Sequence, residues 1–177
     1  MRSFVILSLF VFAAMPALAL DTSQIAWYGQ GVLSLPMGSF GDFAGTGFGA
    51  GFGGSLPYNE SLTLRGELGY IHYGGKDFSF GTVKQSWNFS MIPLMLLGEY
   101  QFQPESPFYG LGGIGFVMAR SSWEWESQGQ NYDSSASDTD IGLAVGGGYH
   151  FNEKMTIEGR YNIINNDFLT VHFLYNF

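Results

Sequence analysis

The chain closes on Phe168-Leu169-Thr170-Val171-His172-Phe173-Leu174-Tyr175-Asn176-Phe177. Counting back from Phe177 in twos gives Tyr175, Phe173, Val171 and Leu169, all apolar, with Asn176, Leu174, His172 and Thr170 between them. Successive side chains of a strand point to opposite faces, so this is a strand with one apolar face and an aromatic end. The alternation recurs upstream. Leu62, Leu64, Leu68 and Tyr70 share a face opposite Thr63, Arg65 and Glu67. Met155, Ile157, Tyr161 and Ile163 oppose Thr156, Glu158, Arg160 and Asn162, and Ile141, Leu143, Val145, Tyr149 and Phe151 form a third apolar row.

The composition says what such strands are for. Only 12% of residues are charged, about half the share usual in a soluble domain, whereas 18% are aromatic and 26 are glycine. After Leu20 no apolar run approaches the roughly 20 residues a transmembrane helix needs. A chain with few charges and no apolar run carries its hydrophobicity in alternation, as a membrane-spanning barrel does. The net charge of −8 argues against nucleic acid, which requires a basic face. The absence of Cys excludes disulfides and thiolate metal sites.

The other end of the chain reads as an export signal. Met1-Arg2 is positive, Phe4 to Ala14 is apolar and small, and Ala17-Leu18-Ala19 is a small-x-small cleavage pattern. We therefore expect residues 1–19 to be a signal peptide and 20–177 an outer-membrane barrel domain. No Cys follows the cleavage pattern, so no lipoprotein anchor is expected, and no further domain is expected after Phe177. In an exported chain, a terminal strand carrying Phe173, Tyr175 and Phe177 resembles the signal read by the barrel-assembly machinery.

Eight strands are predicted: Ile25–Leu35, Thr46–Pro57, Ser61–Tyr73, Trp87–Phe102, Pro107–Trp123, Asp138–Phe151, Met155–Ile163 and Phe168–Phe177. Tight turns at Tyr58-Asn59-Glu60, Gln103 to Ser106 and Asn152-Glu153-Lys154 alternate with mostly longer loops at Pro36–Gly45, Gly74–Ser86, Glu124–Ser137 and Ile164–Asp167. An even strand number, short turns on one side and long loops on the other are the periplasmic and external ends of such a barrel. Lipid tolerates no open sheet edge, so the first and last strands must pair.

Alternation alone leaves open which face is wet, because a soluble lipocalin-like carrier would exchange the two. Too few strand charges exist to solubilise an outer wall. Trp27, Tyr28, Tyr58, Trp87, Tyr100, Phe102, Phe108, Trp123, Tyr149, Phe151, Tyr175 and Phe177 sit near strand ends, where interfacial girdles belong. The glycine-rich second and fifth strands do not declare their faces.

From Leu35 to Gly75 the run LPMGSFGDFAGTGFGAGFGGSLPYNESLTLRGELGYIHYGG resembles the outer-membrane β-barrel domain family of opacity-type, OmpX-like and OmpA-like proteins. The matching pieces are "GDF…TGFG", the turn at Asn59 and "LRGELGY", and the resemblance extends more weakly from Ile25 to Phe177. It implies an all-β, eight-stranded, antiparallel up-and-down transmembrane barrel in a Gram-negative outer membrane. Members of the family serve adhesion, resistance or structure, so the resemblance is specific for architecture and not for role.

With apolar faces in lipid, Arg65, Glu67, Glu99, Glu158 and Arg160 point into a lumen that side chains fill. Buried charges must be paired, so these five are expected to form an ion-pair network plugging its lower half. A lipid A-modifying barrel enzyme would place a His beside a Ser or other nucleophile. The deacylase family's His-x-Ser-Asn cluster is absent from Arg160 to Asn166, and neither His150 nor His172 is expected to have a nucleophile beside it. No catalytic residue, cofactor or metal is therefore assigned. Glu124, Glu126, Asp133, Asp138 and Asp140 match no calcium-loop spacing. Gly49 to Gly54 and Gly110 to Gly115 fit a dinucleotide fingerprint by letter, but neither opens a helix in a βαβ unit. In such strands glycine relieves crowding. Trp123, Trp125 and Tyr132 are the candidate contacts for an extracellular protein partner. The expected molecule is a monomer among outer-membrane lipid and lipopolysaccharide, acting through its external loops rather than as an open porin.

Overall fold

A computed structural model describes residues 22–75, 78–80, 83–103, 106–127, 130–164 and 167–177; the side chains of 22, 75–87 and 123–133 are outside that description. The expected signal peptide at 1–19 therefore lies outside the described residues. The strands are β1 (Ala26–Pro36), β2 (Ala44–Pro57), β3 (Leu62–Gly75), β4 (Phe78–Phe80), β5 (Val83–Gln101), β6 (Phe108–Ser127), β7 (Gln130–His150), β8 (Met155–Ile163) and β9 (Phe168–Asn176). One six-residue helix, α1 (Gly38–Phe43), joins β1 to β2.

Every strand pairs antiparallel with its neighbours, β1 with β9 and β3 with β5, so eight strands close a barrel and the short β4 stands outside the ring. Closure leaves no sheet edge in lipid. Two of the tight turns share one construction. Asn59 Oδ1 accepts from the backbone N–H of Ser61 at 2.9 Å and Leu62 at 2.8 Å. Asn152 Oδ1 accepts in the same way from Lys154 and Met155, both at 2.9 Å. A short amide side chain that satisfies its own turn's donors is why Asn occupies both corners.

The faces follow the alternation. Arg65, Glu67, Glu158 and Arg160 are buried inside, while Leu64, Leu68, Tyr70, Ile141, Leu143, Val145, Phe173 and Tyr175 are exposed on the outer wall. A soluble carrier would have the reverse. Trp27, Tyr58, Tyr100, Phe102, Phe108, Phe151, Tyr175 and Phe177 are exposed where girdles were expected, but Tyr28 is buried and points inward. The side chains of Trp87 and Trp123 lie outside the described residues.

The glycine-rich strands now declare their faces. On β2, Gly49, Gly51 and Gly53 face inward, with Phe48 and Phe52 on the exposed wall. Gly53 is the Cα partner of Tyr28, and a Cβ there would collide with the Tyr28 ring. The same holds for Gly148 and Tyr109 on β7 and β6. Inward glycines clear room for large inward side chains on the adjacent strand.

Two expected loops are corrected. Within the expected loop Glu124–Ser137 the described residues, 124–127 and 130–137, are strand: β6 and β7 stay in register from Phe108↔Tyr149 to Ser127↔Gln130. The alternation Trp123-Glu124-Trp125-Glu126 is the strand signal beneath that reading. Part of Gly74–Ser86 is also strand, since Phe78–Phe80 pairs back on Val83–Gln85. β5 (19 residues), β6 (20) and β7 (21) are about twice the 9–11 residues a crossing needs, so they project beyond a rim at which β8 (9) and β9 (9) stop.

Candidate functional site

The lower lumen holds a closed ring of alternating charge. Arg65 Nη2 meets Glu67 Oε1 at 2.6 Å, and Arg160 Nη1 meets Glu67 Oε2 at 2.6 Å. Glu158 completes the cycle by pairing with both Arg65 and Arg160. All four side chains are almost wholly buried. Two guanidiniums and two carboxylates balance, which removing any one member would undo. The strands explain the meeting: Arg65 and Glu67 are adjacent inward residues of β3, and Glu158 and Arg160 are adjacent inward residues of β8, facing one another across the lumen.

Glu99 attaches on the tight-turn side, with Oε2 accepting from Arg65 Nη1 at 3.1 Å. Its backbone pairs with Thr63, two residues below Arg65, so the two are not level as expected and the long Arg65 side chain reaches Glu99 diagonally. The structure thus brings together all five charged residues singled out from the sequence.

Sequence reasoning missed the neutral members. Tyr28 donates its hydroxyl to Glu67 Oε1 at 2.6 Å and receives Arg65 Nε at 3.2 Å. Tyr109 donates to Glu158 Oε1. His172 Nδ1 meets Gln30 Oε1 at 2.8 Å, and its Nε2 meets Thr170 Oγ1 at 2.9 Å. An inward phase relative to Phe177 and Tyr175 marked His172 and Thr170; nothing marked Tyr28 apart from its neighbour Trp27.

These contacts correct the expectation about nucleophiles, since both histidines do meet a hydroxyl. His150 Nδ1 lies 2.8 Å from Thr156 Oγ1 and its Nε2 lies 3.3 Å from Glu99 Oε1, an acid–imidazole–hydroxyl line. The resemblance to a nucleophile relay stops there. Thr156 is buried, Glu99 is engaged by Arg65, and the Tyr109 ring stacks on His150 at 4.6 Å between centroids. The missed signal was spacing: Thr170 and Thr156 are inward residues one step along from, or directly across from, each imidazole.

The upper lumen is apolar. α1 begins at Gly38, whose φ of +55° suits glycine, and folds Phe40 into the barrel. Phe40, Tyr73 and Phe89 pack edge to face with centroids 4.9 to 5.7 Å apart. Val32, Ala44, Ile71, Met91, Val117 and Phe168 fill in around them. Ser34 and the Tyr73 hydroxyl satisfy each other at 2.7 Å. The expected external loop Pro36–Gly45 is therefore in part a plug. Between the two layers lies a cavity of about 30 Å³, lined by Gln30, Glu67, Ile71, Arg160 and His172 among others. That is room for about one water molecule, not for a permeating solute.

At the far end the β5–β6–β7 sheet stands above the rim. Trp123, Trp125 and Tyr132 are on it by backbone register, Trp125 opposite Tyr132, and their side chains lie outside the described residues. Among the described residues no group of three or more His, Cys, Asp or Glu is placed to hold a metal.

The family model for the outer membrane protein β-barrel domain matches residues 4–177. No curated protein sequence matches the chain. The attachment invasion locus protein Ail of Yersinia pestis shares the fold with a TM-score of 0.56 at 12% identity, covering 86% of this chain and 97% of that one. Neisserial surface protein A gives 0.54 at 15% identity, covering 87% and 97%. The N-terminal β-barrel domain of Pseudomonas aeruginosa OprF gives 0.54 at 11%, covering 86% and 97%. At such identities the likeness to solved structures carries the fold alone.

Proposed function

The chain belongs to the outer membrane protein β-barrel domain family, and from that premise we propose that it is a surface-interaction barrel with a sealed lumen, working through its projecting external hairpins. The observation that carries this reading is the contrast between the two ends of the barrel. The interior is occupied twice over, by the charged ring and by the Phe40 plug, whereas β6 and β7 continue in register as far as Ser127 and Gln130. At about 3.4 Å per residue, the ten residues beyond a crossing stand roughly 30 Å clear of the rim.

On this reading residues 1–19 direct export and are removed, and Phe173, Tyr175 and Phe177 are recognised during assembly. The barrel stands as a monomer in lipid and lipopolysaccharide. Its work is adhesion or resistance at the cell surface and is not catalytic. The acid–imidazole–hydroxyl line found among the described residues lies at the periplasmic mouth with its hydroxyl buried, away from the external leaflet where lipid A sits.

The test replaces residues 123–134 with Asn-Gly, joining the facing partners Ser122 and Ser135 by a two-residue hairpin turn. The variant should reach the outer membrane and still change gel mobility on boiling. Attachment of cells to protein-coated surfaces, or their survival in serum, should fall to the level of cells lacking the protein. Undiminished attachment and survival would overturn the reading.

A further inference from the structure

We propose that the outer wall carries a site for one phosphorylated glycolipid of the lipid A class, its phosphate held at Arg120 and an acyl chain laid in a groove below. This rests on the reading that the hairpin end is external, and it names the lipid the wall selects.

The alternation of β6 fixes the level of the cation. Phe108, Gly110, Gly112, Ile114, Phe116 and Met118 take the outward positions, with Tyr109, Leu111 and Val117 buried between them. The next outward residues are Arg120 and Ser122. Phe108 to Met118 is about the 9–11 residues of one crossing, so Arg120 stands where the apolar band ends. The neighbouring strands change character at the same row. His72, Ser90, Arg120 and Ser137 are successive Cα partners across β3, β5, β6 and β7. Below them on this face stand Ile92 and Met118; above them stand Asn88, Ser122 and Ser135.

That row has the chemistry of a phosphate site. The planar guanidinium fork matches two phosphate oxygens, and directly opposite side chains in a sheet are close enough for the flanking hydroxyls to donate to others. The row above offers hydroxyls and an amide to the sugar that bears the phosphate. Arg120 is exposed, and among the described residues its guanidinium has no ion-pair or hydrogen-bond partner. Of the other cations with described side chains, Arg65 and Arg160 belong to the inner ring and Lys154 lies in a tight turn. Asp138 and Asp140 have the inward phase of Ala144, and Glu124 stands further out along β6.

The groove takes the chain. Below Arg120 the outer wall is hollowed by about 550 Å³. The groove's upper side is the cross-strand row Leu94–Phe116–Ile141, and its floor lies where Gly54 and Gly66, partners on β2 and β3, present no side chain. From mid-wall on β6 it descends to Trp27, near the tight-turn end of β1. Phe116 precedes Arg120 by four residues, about 14 Å at roughly 3.4 Å per residue. A lipid whose phosphate rests on Arg120 therefore carries its acyl chain over Met118 into the groove. Free phosphate would gain nothing from the groove, and an unphosphorylated lipid nothing from Arg120.

Purified full-length protein in detergent is titrated with lipid A bearing both sugar phosphates, the same lipid after phosphatase treatment, phosphatidylglycerol and inorganic phosphate. Binding is read by native mass spectrometry, and heat-modifiable gel mobility verifies that each variant is folded. Phosphorylated lipid A should saturate at one molecule per barrel. Dephosphorylation should weaken it by about tenfold or more, the scale of one charge-assisted contact, and Arg120→Gln should bring the same loss. Gly66→Leu fills the groove floor, where an added Cβ meets only Leu96 at 3.8 Å, and should weaken both forms of lipid A alike. Uptake of many lipids without saturation would mean an unselective annulus. Equal binding of dephosphorylated lipid A or phosphatidylglycerol would remove the basis for this lipid, and equal binding of inorganic phosphate would leave an anion site without a chain. Lipid-free pairing of barrels that Gly66→Leu abolishes would assign the groove to a second copy. Each of those outcomes overturns the proposal, as does wild-type binding by either variant; the surface reading is judged separately by the hairpin replacement.

Discussion

Tyr109 and Gly148 are Cα partners across β6 and β7, and the Tyr109 ring occupies the space that a side chain at Gly148 would fill. From that position the Tyr109 hydroxyl reaches Glu158 in the charged ring. A residue with no side chain is what lets a tyrosine satisfy a carboxylate one strand further on. The Gly53–Tyr28–Glu67 relation repeats it on the opposite wall.

The first prediction follows from this seating. Gly148→Ala should destabilise the barrel by about 1–3 kcal/mol, since the ring must leave its place and Glu158 loses a donor. Gly159→Ala, where an added Cβ meets nothing within 4 Å, should be neutral. Urea unfolding in detergent, followed by loss of the unboiled gel form, distinguishes them. Equal effects would mean that glycine here matters for the backbone alone.

Arg160→Ala leaves Glu67 and Glu158 sharing one guanidinium in a buried site, and Arg65→Ala does the same from the other side. Each should cost about 3–5 kcal/mol of stability. Arg160→Lys should recover only part, because a point charge cannot reproduce the fork that reaches both carboxylates. Unchanged unfolding midpoints in both alanine variants would sink the ring as a stabilising feature.

Phe40→Ala removes the centre of the upper plug and should cost about 3–5 kcal/mol, the usual penalty for emptying an aromatic site in a packed core. The ring below is untouched, so the variant should still not conduct. A stability loss under 1 kcal/mol would mean that α1 rests loosely on the rim.

How much of this was legible depended on which physical signal each residue carried. Arg65, Glu67, Glu158 and Arg160 stood out because charge against an apolar alternation identifies an inward position, and closure of the barrel then brings β3 and β8 together. Tyr28 was hidden because an aromatic near a strand end suits a girdle as well as a lumen, and only its phase relative to Trp27 separates the two. The β2 faces were unreadable because glycine has no side chain to assign; their meaning lies in Tyr28 and Tyr73 on neighbouring strands. Phe40 sat in a glycine-rich segment with the composition of a loop, and nothing local says that such a segment folds inward. The projecting hairpin was misread because polar composition outweighed the period-two pattern of Trp123 to Glu126.

The chain's last residue supplies a fourth prediction. Phe177 packs beside Tyr175 with ring centroids 6.0 Å apart, and its N–H donates to the Trp27 carbonyl at 3.1 Å, joining the final strand to the first. Deleting Phe177 should lower the amount reaching the outer membrane in cells more than it lowers the yield on refolding into detergent. Equal losses in both would make Phe177 a packing residue and not a recognition feature.

The sealed lumen is the central claim, and planar-bilayer recording of the refolded protein tests it most directly. With the Arg65–Glu67–Arg160–Glu158 ring and the Phe40 plug in place, the protein should insert without producing stable, voltage-tolerant open-channel steps. Reproducible steps that persist in heat-modifiable, fully folded protein would contradict it and turn the ring from a plug into the lining of a pore.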